Sequence, residues 1–280
     1  MTHAPRQPVE HDGPVLVLGG TGKIGRRIAA RLRDKGYQVR IGSRTGTPAF
    51  DWEEPSGWDA ILAGVSAAYI SYTPDLAVPA AKAAIRAFAS RARAQGVKHL
   101  VLLSGRGEAD AQACERIVQE SGLDWTIVRA SWFFQNFDEG AFADFVKAGE
   151  VALPIGDVRE PFIDCDDIAD VAVAALVEDQ HVGELYEVTG PRALTFAEAV
   201  AEVADAAGRD VHYSTIPLGA FQSGMKQAGV PNDALALMTY LFTTVLDGRN
   251  EHTTDGVQRA LGRAPRDFAT FAREAAAAGA

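Results

Sequence analysis

Glycines at close, regular spacing form the first motif with a chemical meaning. Gly19, Gly22 and Gly25 fit G-x-x-G-x-x-G, and Gly20, Gly22 and Gly25 fit G-x-G-x-x-G. A tight turn needs positive φ, which glycine adopts at little cost, and a missing side chain lets the backbone approach a pyrophosphate. Backbone N–H groups at a following helix start can then hold the anion. The spacing predicts a dinucleotide site; the alternative is a bare strand–helix turn.

The elements around these glycines support the dinucleotide interpretation. Residues 15–18 are four consecutive apolar residues, which predict a short buried strand, and residues 26–35 predict a helix with apolar residues four apart. A glycine motif between a strand and a helix is the context that the site requires. Within the turn we expect Thr21, Lys23 and Ile24 to contribute contacts. Lys23 either contacts a phosphate or points to solvent.

The end of the second predicted strand, residues 38–42, indicates which dinucleotide binds. An acidic residue there would bind the ribose 2′-hydroxyl of NAD(H). The sequence has Ser43, Arg44 and Thr45 instead, with no carboxylate. Arginine is always charged and suits a 2′-phosphate. We therefore predict NADP(H), with Ser43 and Arg44 as contacts; the alternative is an ordinary surface arginine.

Strand and helix patterns continue to alternate through residue 128, which predicts a Rossmann-type, doubly wound parallel sheet of the α/β class. Ligands bind outside the carboxyl ends of such strands. The residues at predicted strand ends are therefore further candidates for cofactor contacts: Asp51, Trp52, Tyr72, Thr73 and Ser104.

The predicted organisation has a loose tail at 1–13, an NADP(H)-binding core at 14–150, and a final part at 151–280. The final part combines the remaining core strands with a smaller, mostly helical C-terminal substrate lobe. In it, Thr195 and Glu198 have the spacing of a capping box. An alanine-rich helix at 76–95 would cover the sheet, or else form part of the face of a homodimer.

Composition narrows the function classes. A net charge of −10 argues against a nucleic-acid partner, which would favour a basic face. No apolar run is long enough to span a membrane, and no apolar segment of a signal peptide begins the chain. Cys114 and Cys165 are far apart in sequence, and a disulfide framework is not expected. These observations predict a soluble cytoplasmic protein.

An aromatic cluster follows the sixth predicted strand. Trp132, Phe133 and Phe134 form either apolar core or the wall of a substrate pocket, because they come just after a strand end. Asn136 is either a turn residue or a polar group of the same pocket. We retain all four as candidate substrate contacts.

Acidic residues around Cys165 have two interpretations. Asp164, Asp166 and Asp167 could suggest a metal site, but a turn followed by a helix cap accounts for the same residues. We favour the cap, by Asp166 or Asp167, and predict no metal. The six histidines also lack the spacing of metal ligands.

The tyrosines lack the lysine partner of an acid–base pair. Short-chain dehydrogenases usually pair a tyrosine with a lysine four residues later, which lowers the tyrosine pKa for proton donation. None of the six tyrosines here has a lysine at that position. The catalytic residue is therefore unknown from the sequence.

Several motifs together resemble the NmrA-like branch of the atypical short-chain dehydrogenases, across nearly all of the chain after Gly13. The motifs shared with the branch are at 19–25, 121–129, 132–137 and 162–172, and those at 50–52 and 261–272 resemble the ergot-alkaloid late-step reductases. The branch often has proline after the Thr-Ile-Val-Arg run, where this chain has Ala130.

The resemblance implies three roles. One is an NADPH-dependent reductase of an imine, iminium or similar activated double bond of a small molecule. The second is an NAD(P)H quinone oxidoreductase, and the third is a non-catalytic regulator that senses NADP(H) and binds another protein. The regulator predicts cofactor binding without turnover. We favour the reductase, and the sequence does not name its substrate.

Overall fold

The computed structural model describes residues 9, 11–140 and 142–279. The strands in this part of the chain are β1 Val15–Leu18, β2 Val39–Gly42, β3 Ala67–Ile70, β4 His99–Gly105, β5 Asp124–Ala130, β6 Glu150–Leu153, β7 Arg159–Glu160, β8 Glu184–Val188, β9 Leu194–Thr195 and β10 His212–Thr215. The α-helices are α1 Lys23–Asp34, α2 Trp58–Leu62, α3 Ala81–Ala94, α4 Ala109–Gln119, α5 Ala143–Ala148, α6 Cys165–Val177, α7 Phe196–Ala207, α8 Leu218–Gln227, α9 Asn232–Tyr240, α10 Gly256–Leu261 and α11 Phe268–Ala278.

Six of these strands form one parallel sheet in the order β2-β1-β3-β4-β5-β8. Its register pairs Val15 with both Val39 and Ala67. The first and third strands are buried along their whole length, as is expected for a parallel sheet covered on both faces. Helices α1 and α6 pack together beside the sheet, and an apolar cluster on its other face joins α2, α3 and α4. The predicted Rossmann-type class is confirmed.

The chain divides into two compact units. The sheet unit consists of the described part of Met1–Ala130, with Cys165–Val188 and Gly256–Arg263. The second unit consists of the described parts of Ser131–Asp164, Thr189–Asp255 and Ala264–Ala280. Each unit is therefore built from separate stretches of chain. The boundary expected at residue 150 falls within the second unit.

The second unit is mainly helical around an aromatic core. It contains two short sheets, β6 with β10 in parallel and β7 with β9 in antiparallel. Helix α7 starts with the predicted capping box: the Thr195 hydroxyl accepts from the Glu198 N–H at 3.1 Å, and Glu198 Oε2 accepts from the Thr195 N–H at 2.8 Å.

Two local expectations were wrong. The helix expected from residue 76 begins at Ala81, because Asp75 Oδ1 accepts the Ala77 N–H at 2.7 Å and holds a turn before it. Asp166 and Asp167 lie within the first turn of α6 and do not precede it as caps.

The predicted tail, 1–13, lies mostly outside the described residues. Within the described part, the Val9 N–H donates to the Val177 carbonyl at 2.8 Å, and His11 Nε2 lies 2.8 Å from the Leu176 carbonyl. Across the described chain, no helix combines the length and apolar character needed to cross a membrane.

Candidate cofactor site

The glycines of the first motif have different structural tasks. Gly19 has φ +64°, which other residues rarely adopt. A Cβ on Gly25 would lie 2.7 Å from the Gly19 carbonyl carbon and would also overlap its oxygen, so Gly25 lets α1 approach the turn closely. A Cβ on Gly20 would lie 2.7 Å from Ile41 Cδ1. Gly22 is exposed at φ −79°, and a Cβ there would meet only the Gly19 oxygen, at 3.2 Å.

The exposed start of α1 suits an anion. Gly22 precedes the helix, no described side chain caps it, and its first turn contains no acidic residue. Its N–H groups and dipole therefore attract negative charge, and the space that a Gly22 side chain would fill lies beside them. Thr21 is exposed and Lys23 half-buried, whereas Ile24 is buried in the core. Ile24 can therefore contact a ligand only through its backbone. The uncapped helix start and the open space at Gly22 together make this turn suitable for a pyrophosphate.

Arg44 follows β2, the strand beside β1, and its side chain is exposed. Among the described residues no group pairs with its guanidinium. Arg40, within the same strand, instead donates to the Ile61 and Ala63 carbonyls at 2.7 and 2.6 Å. The Ser43 carbonyl accepts two backbone N–H groups and fixes the loop after the strand. Arg44 thus presents an unused cation after β2.

Asp51, Trp52 and Tyr72 lie in loops of the sheet unit. Trp52 Nε1 donates to the Ser71 carbonyl at 3.2 Å, and its ring lies 4.9 Å from that of Tyr72. Burial raises the pKa of Tyr72. The Asp51 carbonyl accepts a hydrogen bond from Trp58 Nε1 at 2.7 Å. These contacts bring the loops after β2 and β3 together; Thr73, the next residue, is exposed.

Ser104 is buried within β4, and its hydroxyl donates to Glu115 Oε1 at 2.6 Å. Arg129 holds both oxygens of Glu115, at 2.9 and 2.5 Å, and reaches Glu187 at 3.1 Å. Burial acts to raise the pKa of Glu187, but Arg106 and Arg129 hold it below its ordinary value. Ser104 therefore belongs to a charged network of the sheet unit, and its expected contact with the cofactor stays a prediction.

Glu108 is a buried acid that the sequence pattern did not single out. It follows β4 and is 7% exposed. Its carboxyl carbon would lie 2.5 Å from a Cβ on Gly105, so the glycine makes room for it. Burial, and then the neighbouring Asp75 carboxylate, raise the pKa of Glu108. The sequence offered one signal, an acidic residue shortly after the Ser-Gly end of a strand.

The aromatic candidates lie in the second unit and differ in exposure. Phe134 is 1% exposed and packs on Phe268 and Phe271, with ring centroids 4.8 and 5.4 Å apart. Trp132 is half-buried and stacks on other rings of the same core. Phe133 is half-buried and lies outside the aromatic core of the described residues. The expected role of Trp132, Phe133 and Phe134 in a substrate wall stays a prediction.

Asn136 is half-buried, and its carbonyl accepts the Phe142 N–H at 2.8 Å. This contact uses the backbone and fits the interpretation of Asn136 as a turn residue. Its expected role in a substrate pocket stays a prediction.

The acids around Cys165 take part in ion pairs. Asp164 bonds Gln135 Nε2 and Arg266, both at 2.9 Å. In the sheet unit, Asp166 and Asp167 pair with Arg31 and Arg263 at 2.5 and 2.6 Å. The described residues contain no group of three His, Cys, Asp or Glu suited to a metal ion.

Comparison with known proteins identifies the family. A family model described as NAD(P)H-binding matches residues 19–179. The chain belongs to this NAD(P)H-binding family. The NAD(P)H azoreductase of Xenophilus azovorans is 35% identical over 285 residues, which cover 94% of this chain and 98% of the relative. Festuclavine synthase II of Penicillium roqueforti is 28% identical over 279 residues, which cover 91% and 95%.

A solved structure of NmrA, described as a negative transcriptional regulator in complex with NADP, has the same fold. It has a TM-score of 0.65 and 18% identity and covers 94% of this chain and 95% of NmrA. Together with this shared fold, the family model and the festuclavine synthase relative confirm the resemblance to the NmrA-like atypical short-chain dehydrogenases. This member of the NAD(P)H-binding family is an NAD(P)H-dependent oxidoreductase.

Proposed function

We propose that the protein is an NADPH-dependent reductase of an imine, iminium or other activated double bond in a small organic molecule. The observation that carries the choice of NADPH is Arg44, an exposed guanidinium with no partner among the described residues, after the strand beside the glycine turn. The 2′-phosphate of NADPH could accept two charge-assisted hydrogen bonds from the Arg44 guanidinium. The start of α1 would hold the pyrophosphate, with Gly22 leaving the necessary space.

The choice of acceptor rests on the tyrosines. No tyrosine has a lysine four residues later, and Tyr69 is fully buried with a pKa raised by burial. Carbonyl reduction needs a proton on oxygen as the hydride arrives, and a missing donor costs about 10²–10⁴-fold. An iminium carbon is already cationic and needs no such proton. Bound NADPH supplies the hydride, and the protein has to orient the acceptor and exclude water.

A relative that is named an azoreductase supports an electron-poor double bond as the acceptor. A quinone has similar needs, so quinones belong in the same test. We further propose that the protein works in the reducing cytoplasm, because Cys114 and Cys165 are both buried and neither forms a disulfide. A homodimer through α3 stays a prediction.

The test is NADPH oxidation against a panel of cyclic iminium ions, enones, azo dyes and quinones. We expect turnover of at least one acceptor, with a higher kcat/KM for NADPH than for NADH. Arg44→Ala should remove that preference, whereas Arg33→Ala, an exposed arginine in the last turn of α1, should retain it. NADPH binding with no turnover across the panel would contradict the proposal.

A further inference from the structure

Two carboxyl side chains meet at the carboxyl end of the central sheet. Asp75 lies in the loop after β3, and Glu108 lies just after β4, the neighbouring strand. The Asp75 carboxyl group lies close to that of Glu108 and raises its pKa, and a hydrogen bond between two carboxyl groups requires a proton on one of them. Glu108 is nearly fully buried, and its carboxyl group occupies the space above Gly105. The pair therefore lies at the edge of the sheet where ligands of this fold bind.

The surroundings of Glu108 favour its protonated form. Burial is the main cause of the raised pKa of Glu108, followed by the charges of Asp75 and Glu115. Two cations of neighbouring elements are engaged with other acids: Lys82 of α3 pairs with Asp110 at 2.8 Å, and Arg129 of β5 holds Glu115. Two carboxyl groups that share one proton recur in enzymes as an acid that stays protonated at neutral pH.

We propose that the Glu108–Asp75 pair is the proton donor of the reduction, for acceptors that need a proton. The inference rests on the proposed function and supplies the acid that the tyrosines do not. When hydride adds to the β-carbon of an enone, the O–H bond of the Glu108 carboxyl group breaks and its proton bonds to the resulting enolate. The product is then neutral, and the carboxyl pair has lost one proton. Water returns that proton before the next turnover.

The sharpest test compares one acceptor that needs a proton with one that does not. Glu108→Gln keeps the shape of the side chain and removes the acid. We expect it to lower kcat for an enone by about 10²–10⁴-fold and to leave kcat for an N-methyl iminium ion within about tenfold. Glu120→Gln, an exposed acid at the end of α4 and outside the pair, is the control and should leave both acceptors within about tenfold. Equal losses for both acceptors in Glu108→Gln would overturn the inference.

A second readout does not depend on turnover. Infrared spectra of the wild type near pH 7 should contain a C=O band of a buried protonated carboxyl group, which disappears as the pH is raised. Glu108→Gln should lack this band, and Glu120→Gln should retain it. A wild type without the band, or normal enone turnover by Glu108→Gln, would overturn the proton donor alone. A wild type that reduces neither acceptor would overturn the proposed function and, with it, the inference.

Discussion

Substitution of Gly22 should weaken cofactor binding strongly while changing the folding stability little. Its backbone, at φ −79°, suits any residue, and an added Cβ would meet only the Gly19 oxygen at 3.2 Å. Gly22→Val should therefore cost about 1 kcal/mol of folding stability, the usual cost of a poor residue before a helix. This cost is small against a typical stability of about 5–15 kcal/mol.

The same valine would lie over the N–H groups that start α1. Charge-assisted hydrogen bonds contribute about 1.5–3 kcal/mol each, and loss of two of them raises the Kd for NADPH by about 10² or more. Gly25→Ala, in contrast, should mainly lower the folding stability. Its Cβ would lie 2.7 Å from the Gly19 carbonyl carbon, and the crowding should cost stability by about 1–3 kcal/mol.

The assay is fluorescence titration of NADPH together with thermal unfolding. Gly224→Val is the matched control, because a side chain at that position in α8 meets open space. It should bind NADPH like the wild type. A folded Gly22→Val variant with the wild-type Kd would refute the assignment of the glycine turn to the pyrophosphate.

Three further predictions concern charge, acid catalysis and pH. Arg44→Ala should weaken NADPH binding by about 1.5–3 kcal/mol and leave NADH unchanged in the same titration; equal wild-type affinities for the two cofactors would contradict this. Each single Tyr→Phe variant should keep turnover of a true acceptor within about tenfold, and a folded, NADPH-binding variant that loses a thousandfold would reveal a missed acid. His99, 8% exposed, has a pKa lowered from 6.5 to about 4 by burial. As the pH falls, His99 is protonated in the unfolded chain before it is protonated in the folded protein. The free energy of unfolding should therefore fall by about 3 kcal/mol from pH 6.5 to 4. His99→Gln should flatten this slope in urea unfolding, and an unchanged slope would exclude His99 as its cause.

Local patterns predicted the fold well where one short segment determines its own structure. The apolar run at Val15–Leu18 and the capping box of Thr195 and Glu198 depend on neighbours in sequence, and both are confirmed. The helix at 76–95 began late because the Asp75 side chain holds a local turn that competes with the helix.

Contacts between distant parts of the chain were beyond prediction. Ser104 is polar and close to a strand end, which suggested a ligand contact, but its hydroxyl bonds Glu115. Glu115 is held in turn by Arg129, 14 residues later. The carboxyl pair of Asp75 and Glu108 likewise joins two loops that only the sheet order brings together. Periodicity carries no information about such pairings.

The central claim, hydride transfer from NADPH to an activated double bond, has one direct measurement. The purified protein is incubated with a cyclic iminium ion and NADPH deuterated on either face of C4, and the product is analysed by mass spectrometry. We expect one deuterium on the former iminium carbon with one face of the labelled cofactor and none with the other. Product without deuterium from either face, or no product although NADPH is bound, would contradict the account.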